Sequence, residues 1–306
     1  MYSETSIYKL ACEAQKLARK AVPAYSSKFS KHTYTQDQHI AVLCIQKKTR
    51  QKLRGTEELL VNMPSVREAV GLAGVPDFTT MCRAMKRLKV KVLIVLLYMS
   101  ACLLPASGRA SIDATCFDRR HSSKHYVKRC RMTLGSMKTT FIVDTERLTI
   151  LEVHVTVTRK HDTKIILPLV RKAKGKFPII ELPADKGYDD KYVRDVLRSM
   201  GIRPLIKHRE YKPRDKAHNA RMKGKDFHRR SLSETVNSMI KRKYDDTLHT
   251  RGFWNQYGEV LLMAVVHNIE RKTTFYCITW LRIATELNKC FIFFILLSNH
   301  IICCIP

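Results

Sequence analysis

Phe227, Arg230, Glu234 and Lys241 follow one another in the spacing Phe-x2-Arg-x3-Glu-x6-Lys, within the run that begins Ser231-Leu232-Ser233-Glu234-Thr235-Val236-Asn237. At about 100° per residue along a helix they fall within roughly 60° of one another and form one stripe. One carboxylate between two cations suits a phosphate backbone beside a metal ion better than it suits a core. The bland alternative is a solvated helix face, where an i,i+4 Arg/Glu pair adds about 0.2–0.5 kcal/mol. Two aspartates upstream favour the chemical reading. Asp113 lies in 110–115, which reads as a short strand, and Asp185 follows the apolar run 177–182 at once. An unpaired carboxylate in an apolar strand is expensive to bury, so Asp113 needs a ligand or a partner. Asp185 either takes a ligand or caps the helix that follows. Phosphodiester chemistry uses two divalent ions about 3.5–4 Å apart, and magnesium demands oxygen ligands. Asp113, Asp185 and Glu234 supply them if the two strands are neighbours. With only 27 Asp plus Glu in 306 residues, three acids in such settings are a poor match to chance.

The elements that must position these acids follow from the pattern. After the strand at 110–115, residues 138–143 and 148–158 alternate β-branched with polar residues around Asp144-Thr145-Glu146-Arg147, as a hairpin does. A helix is expected at 162–173 with Asp162 as its cap, then the strand at 177–182. A helix at 190–200 ended by Gly201 and a strand at 202–206 complete the series. This order predicts an α/β fold, a mixed sheet flanked by helices. Asp118, Asp144, Asp162, Asp189 and Asp190 read as turn, cap or surface residues, Gly187 as a tight turn and Tyr188 as packing. A helix over 253–271 carries Phe253, Tyr257, Val260, Leu261 and Ala264 on one face and belongs to the core.

The charge balance is extreme: 56 Lys plus Arg give a formal net charge of +29, spread as +10 over residues 1–100, +9 over 101–200 and +10 over the remainder. Such an excess predicts a polyanionic partner, nucleic acid before anionic membrane, although a ribosomal or chromatin-like protein shows the same balance. Residues 203–230 hold eleven Lys or Arg against three acids and no hydrophobic period. They read as a basic insertion, a mobile loop that is either a disordered linker or a phosphate-binding segment that orders on nucleic acid, with Lys207, Arg209 and Lys212 as candidate contacts. Residues 1–34 form a basic segment with a helix over 7–22 that Pro23 ends. Residues 35–105 read as helical: one helix over 35–60 with Thr35 as cap, another opened by Asp77 and carrying Arg83, Lys86 and Arg87, and a buried one at 92–104, too short for a bilayer at about 20 residues. The region resembles a helix-turn-helix reader of DNA, and equally a bundle with a basic face. Ten cysteines at irregular spacing with no secretory signal imply reduced thiols in the cytoplasm. Cys116-x4-His121-x3-His125-x4-Cys130 has the ligand types of a zinc site but not the spacing of a finger. The tail, 275–306, is hydrophobic, with a polar triplet at 298–300 that makes it a poor anchor, and no stable membrane association is expected.

Taken together, these motifs resemble the DDE transposases of prokaryotic insertion sequences, in the subgroup marked by Tyr-x2-Arg-x3-Glu-x6-Lys. Arg230, Glu234 and Lys241 match that signature, with Phe227 at the tyrosine position. Asp185-Lys186-Gly187-Tyr188 resembles the second-aspartate motif, and Ser111-Ile112-Asp113-Ala114-Thr115 the first. The likeness spans about 107–271, with a fainter one over 35–90, and leaves the tail unmatched. It implies a ribonuclease-H-like catalytic domain over 106–274, preceded by a small helical DNA-binding domain. It also implies two Mg2+ ions (or Mn2+) on Asp113, Asp185 and Glu234, DNA phosphate contacts from Arg230 and Lys241, and water attack at transposon ends followed by strand transfer into target DNA. A homodimer on double-stranded DNA, at the nucleoid, is expected. The alternatives are a DNA-binding relative without catalysis and a nuclease of the same fold that cuts without joining.

Overall fold

The computed structural model describes residues 4–119, 124–129, 135–222 and 224–276. Six helices come first: α1 (Glu4–Ala21), α2 (Gln36–Thr49), α3 (Leu53–Asn62), α4 (Pro64–Val70), α5 (Phe78–Arg87) and α6 (Val90–Ala101). Thr35 and Gln38 close a reciprocal capping box on α2, and the Asp77 carboxylate accepts from the Thr79 N–H to cap α5. The single helix expected over 35–60 is in fact two. The chain turns at Arg50, whose φ of 56° lies in the left-handed region, a conformation that costs a non-glycine residue about 1 kcal/mol or more. Its guanidinium donates to the carbonyl oxygens of Lys241 (3.2 Å) and Lys243 (2.9 Å). A contact nearly two hundred residues away in sequence therefore fixes this break.

Five strands follow: β1 (Ala110–Asp118), β2 (Ser136–Asp144), β3 (Ile150–Thr156), β4 (Glu181–Ala184) and β5 (Arg203–Ile206), in the sheet order β3-β2-β1-β4-β5. The first three are antiparallel neighbours, whereas β4 runs parallel to both β1 and β5. Asp144 closes the β2–β3 turn by accepting from the N–H groups of Glu146 and Arg147. Strand pairing starts at Glu181 rather than 177, because Ile180 donates to the Gly108 carbonyl (2.7 Å) ahead of the first bridge, Arg109 to Glu181. Residues 177–180 pack as irregular chain. A short helix, α7 (Lys124–Arg129), lies between β1 and β2; α8 (Asp162–Lys174) and α9 (Lys191–Ser199) lie in the β3–β4 and β4–β5 crossovers. His161, one residue before the expected Asp162, is the cap of α8, and Asp162 instead pairs with Lys138 (2.6 Å).

The stretch expected to be a mobile loop contains β5 and two short helices, α10 (Pro213–Arg221) and α11 (Lys225–His228). Polar contacts hold it where apolar periodicity is lacking: Asn219 bonds the His208 backbone in both directions, and Asp215 accepts from the N–H groups of Tyr211 and Lys212. Then come α12 (Ser231–Tyr244) and a helix, α13, over 253–276.

Helices cover both faces of the sheet. On one, Ile112, Ile142 and Ala184 pack with Ile166 and Val170 of α8 and with Val193 and Leu197 of α9. On the other, Phe117, Met137 and Phe141 pack with Val236 and Ile240 of α12, with α13, and with the apolar residues of α1 to α6 in one continuous cluster. The amino-terminal helices thus share a core with the sheet. Two ion pairs cross it, Lys47 with Glu259 and Lys48 with Glu270, all four side chains at most 9% exposed. No helix among the described residues is long and apolar enough to cross a membrane. His121, Cys130 and the tail beyond 276 lie outside the described residues, so the zinc and anchor readings are not addressed by the fold.

Candidate active site

The β1–β4 register pairs Ile112 with Ala184. Asp113 and Asp185 are the next residues on each chain, and Asp185 stays extended (φ −73°, ψ 163°) as it leaves β4. Neighbouring strands lie about 4.8 Å apart, so the two acids leave the sheet side by side, on the face opposite Ile112 and Ala184. That is the face that α12 covers. Glu234 sits in the first turn of α12, and Arg230, immediately before the helix, joins the group: its guanidinium lies 2.5 Å from Glu234 and 3.7 Å from Asp185. One turn past Glu234, the Asn237 amide donates to Asp113 Oδ2 at 2.8 Å. Asp113, Asp185 and Glu234 are therefore tied together through two side chains of one segment. Lys186 and Asp189 brace the Asp185 turn, Lys186 to Glu210 (3.2 Å) and Asp189 to the Arg209 N–H (2.9 Å) and to the Arg194 guanidinium.

Electrostatics reflect this crowding. The Asp113 carboxyl is raised above its ordinary value, first by burial and then by the Glu234 charge, against opposing hydrogen bonds from Ala114 and Asn237 and the charge of Arg230. Tyr188, buried behind the acids, has its phenol pushed well up by burial and by Asp162, Asp113 and Asp185, so it stays protonated. A carboxyl raised in the native state holds its proton more tightly there than in the unfolded chain. Ionising Asp113 then costs stability that is untouched below its unfolded pKa and fully lost above its folded one. Asp113→Asn should accordingly melt at a higher temperature than the parent at neutral pH in a chelating buffer. The difference should close as the pH falls below the ordinary aspartate range, as thermal melts across pH will show.

The candidate DNA contacts divide into two groups. Lys241 lies two turns past Glu234, about 10 Å along the axis, with its ammonium over the Phe117 ring (5.8 Å). Lys207 places its ammonium 4.3 Å from the Phe227 ring centroid, in α11. Arg209 and Lys212 are exposed, their backbone N–H groups held by Asp189 and Asp215. Phe227 is not on the same helix as Glu234, as the stripe implied: the chain bends between α11 and α12, and the Arg230 N–H bonds the Phe227 carbonyl (3.1 Å). Asn237 carried no expectation from sequence, although its place three residues after Glu234 on the buried face of α12 was a usable signal.

A mixed five-stranded sheet flanked by helices, with acids grouped beside the end of a central strand, is compatible with a ribonuclease-H-like domain. Residues 106–269 match the family model of the transposase DDE domain, more than half of the chain. The chain belongs to the DDE transposase family, and DNA is the substrate that membership implies. No curated protein matches it.

Members of this family generally use divalent metal ions. The donors here suit a hard cation, being carboxylate oxygens with an amide oxygen, that of Asn237, buried and without a hydrogen-bond partner. Arg230 stands between Asp185 and Glu234 with a positive charge of its own. Among the described residues, no three His, Cys, Asp or Glu side chains stand close enough to hold an ion.

Proposed function

We propose that this chain is an insertion-sequence transposase, of the Tyr-x2-Arg-x3-Glu-x6-Lys subgroup with phenylalanine at the first position, that cleaves DNA at transposon ends and joins the freed strand to a target. The observation that carries this reading is that the β1–β4 register sets Asp113 next to Asp185 while Arg230 links Asp185 to Glu234 on the helix across them. Asp113, Asp185 and Glu234 would hold two Mg2+ or Mn2+ ions, whose chemistry would be to activate the attacking oxygen and stabilise the leaving one. The protein does the positioning. Asn237 fixes one oxygen of Asp113, and the braced turn at Lys186 and Asp189 fixes Asp185. Arg230 is placed to trade its carboxylate partners for a DNA phosphate. Lys241, Lys207, Arg209 and Lys212 follow the backbone, contacts that position DNA without reading its sequence. Recognition of the ends falls to the amino-terminal helices, where α5 carries Arg83, Lys86 and Arg87. Action on two ends calls for two copies on DNA, and DNA places the protein at the nucleoid.

Strand joining separates a transposase from a nuclease of the same fold. Given a duplex that already ends in a free 3′-hydroxyl and a supercoiled target, the protein should produce a joined species. Cutting without joining would support the nuclease. The basic segment has its own signature. Lys207→Ala, Arg209→Ala and Lys212→Ala should each lower the slope of log affinity against log salt by about 1, with affinity falling alike on all sequences. A fluorescence-anisotropy titration series in salt measures it, and an unchanged slope removes that residue from the interface.

A further inference from the structure

We infer that Asn237 is a positioning residue of the metal centre, one amide serving a carboxylate and a cation at once; the inference rests on the three carboxylates being metal ligands. The buried face of α12 reads Ser233, Val236, Asn237, Ile240 and Tyr244. An amide does not belong in such a stripe without a task, because each unsatisfied buried polar atom costs about 1–3 kcal/mol. Asn237 is 6% exposed. Its Nδ2 donates to Asp113 Oδ2 at 2.8 Å, alongside the hydrogen bond that the carboxyl takes from the Ala114 backbone. Its Oδ1 is buried and accepts from nothing. The same amide reaches Asp113 through its Nδ2. A buried amide oxygen is satisfied only by a donor or a cation brought to it. A hydrated divalent ion supplies what it lacks, either the ion itself or the O–H of a water bound to it.

The packing alternative is an amide that only ties α12 to β1. The two separate in metal binding. With the full chain and no DNA present, Mn2+ affinity is read from electron paramagnetic resonance of the free ion, and stability from thermal melts in chelator. Asn237→Leu keeps the volume and removes both functions, so Mn2+ affinity should fall about tenfold, the scale on which partners of metal ligands act. Asn237→Asp adds a charge in the same shape and should tighten Mn2+ binding. A purely structural amide would lower the melting temperature in both variants and leave Mn2+ affinity alike in both, which overturns the inference. If Asn237→Leu does not fold, unchanged Mn2+ affinity in Asn237→Asp overturns it equally. Asp113→Ala is the control on the underlying reading. Mn2+ affinity that survives this change means that the carboxylates are not the ligands, and the inference falls with them. Affinity lost in Asp113→Ala but parental in Asn237→Leu refutes the role of Asn237 alone.

Discussion

Asp113→Ala, Asp185→Ala and Glu234→Gln should each abolish DNA cleavage while leaving DNA binding near the parental level. The expected loss is large because all three side chains act on the same charges. A metal ion at a phosphoryl oxygen contributes several kcal/mol to transition-state stabilisation, and about 4 kcal/mol is on the order of 10^3 in rate. Binding survives because the phosphate contacts come from other residues: Arg230 and Lys241 flank the acids, and Lys207, Arg209 and Lys212 lie on the segment between β5 and α10. Removing a carboxylate also removes a negative charge from a surface that meets a polyanion, so affinity for DNA should hold or rise slightly. Gel-shift and single-turnover cleavage on one labelled duplex give both numbers. Glu234→Gln is the informative member, since it keeps the shape and the hydrogen bond to Arg230 and changes only the charge. Residual cleavage within tenfold of the parent in Glu234→Gln would remove Glu234 from the catalytic set.

The second large effect is on stability. Lys47→Ala should destabilise the protein by about 3–5 kcal/mol, the usual result of leaving one member of a buried ion pair alone. At this chain length that is a drop of roughly 10 °C in melting temperature. The Glu259 side chain is completely buried and meets the Lys47 ammonium directly. It also accepts from the N–H groups of His249 and Thr250 and from the Thr250 hydroxyl. Burial works to raise its pKa, but Lys47 and the Thr250 hydrogen bonds outweigh it and hold the carboxyl below its ordinary value. A carboxyl lowered in the native state lends stability above its unfolded pKa and loses it as the pH falls through the folded one. The gap between parent and variant should therefore be widest near neutrality and narrow in acid. Combining the change with Glu259→Gln should recover part of the loss, because the amide oxygen still accepts from the two N–H groups. The consequences reach the site: the 245–250 segment that Glu259 holds also bonds the end of β1, Asp118 N–H to the Asp246 carbonyl (2.9 Å) and Leu248 N–H to the Asp118 carbonyl (2.8 Å).

Much of this was readable from sequence wherever the information is local. The Thr35 cap, the alternation on both sides of Asp144 and the stop at Gly201 each depend on residues within a few positions of one another, and the start of α2, the strands β2 and β3 and the end of α9 fell within a few residues of their patterns. What was not legible depends on distant partners. Arg50 breaks a helical pattern because two carbonyls at the end of α12 receive its guanidinium. Residues 177–180 are apolar enough for a strand, but only Ile180 finds partners across from it, Gly108 and Arg203, at the point where the sheet begins. Residues 207–221 carry no apolar period, and short polar contacts order them nonetheless. At the site, the identities of the three acids were visible as types in suggestive settings, while their adjacency came only with the β1–β4 register. Asn237 showed in sequence only as a polar residue in an apolar stripe, and its task came only with its partner, Asp113.

The most direct test of the central claim is cleavage by the unaltered protein of an end-labelled duplex carrying the sequences that flank this gene, with Mg2+ or Mn2+ and with chelator as control. The expected result is a metal-dependent nick at the element end that leaves a 3′-hydroxyl, followed by a joined product when target DNA is added. A protein that binds these ends in a shift assay but never cuts them, with either metal, would contradict the catalytic reading and leave a DNA-binding member of the family.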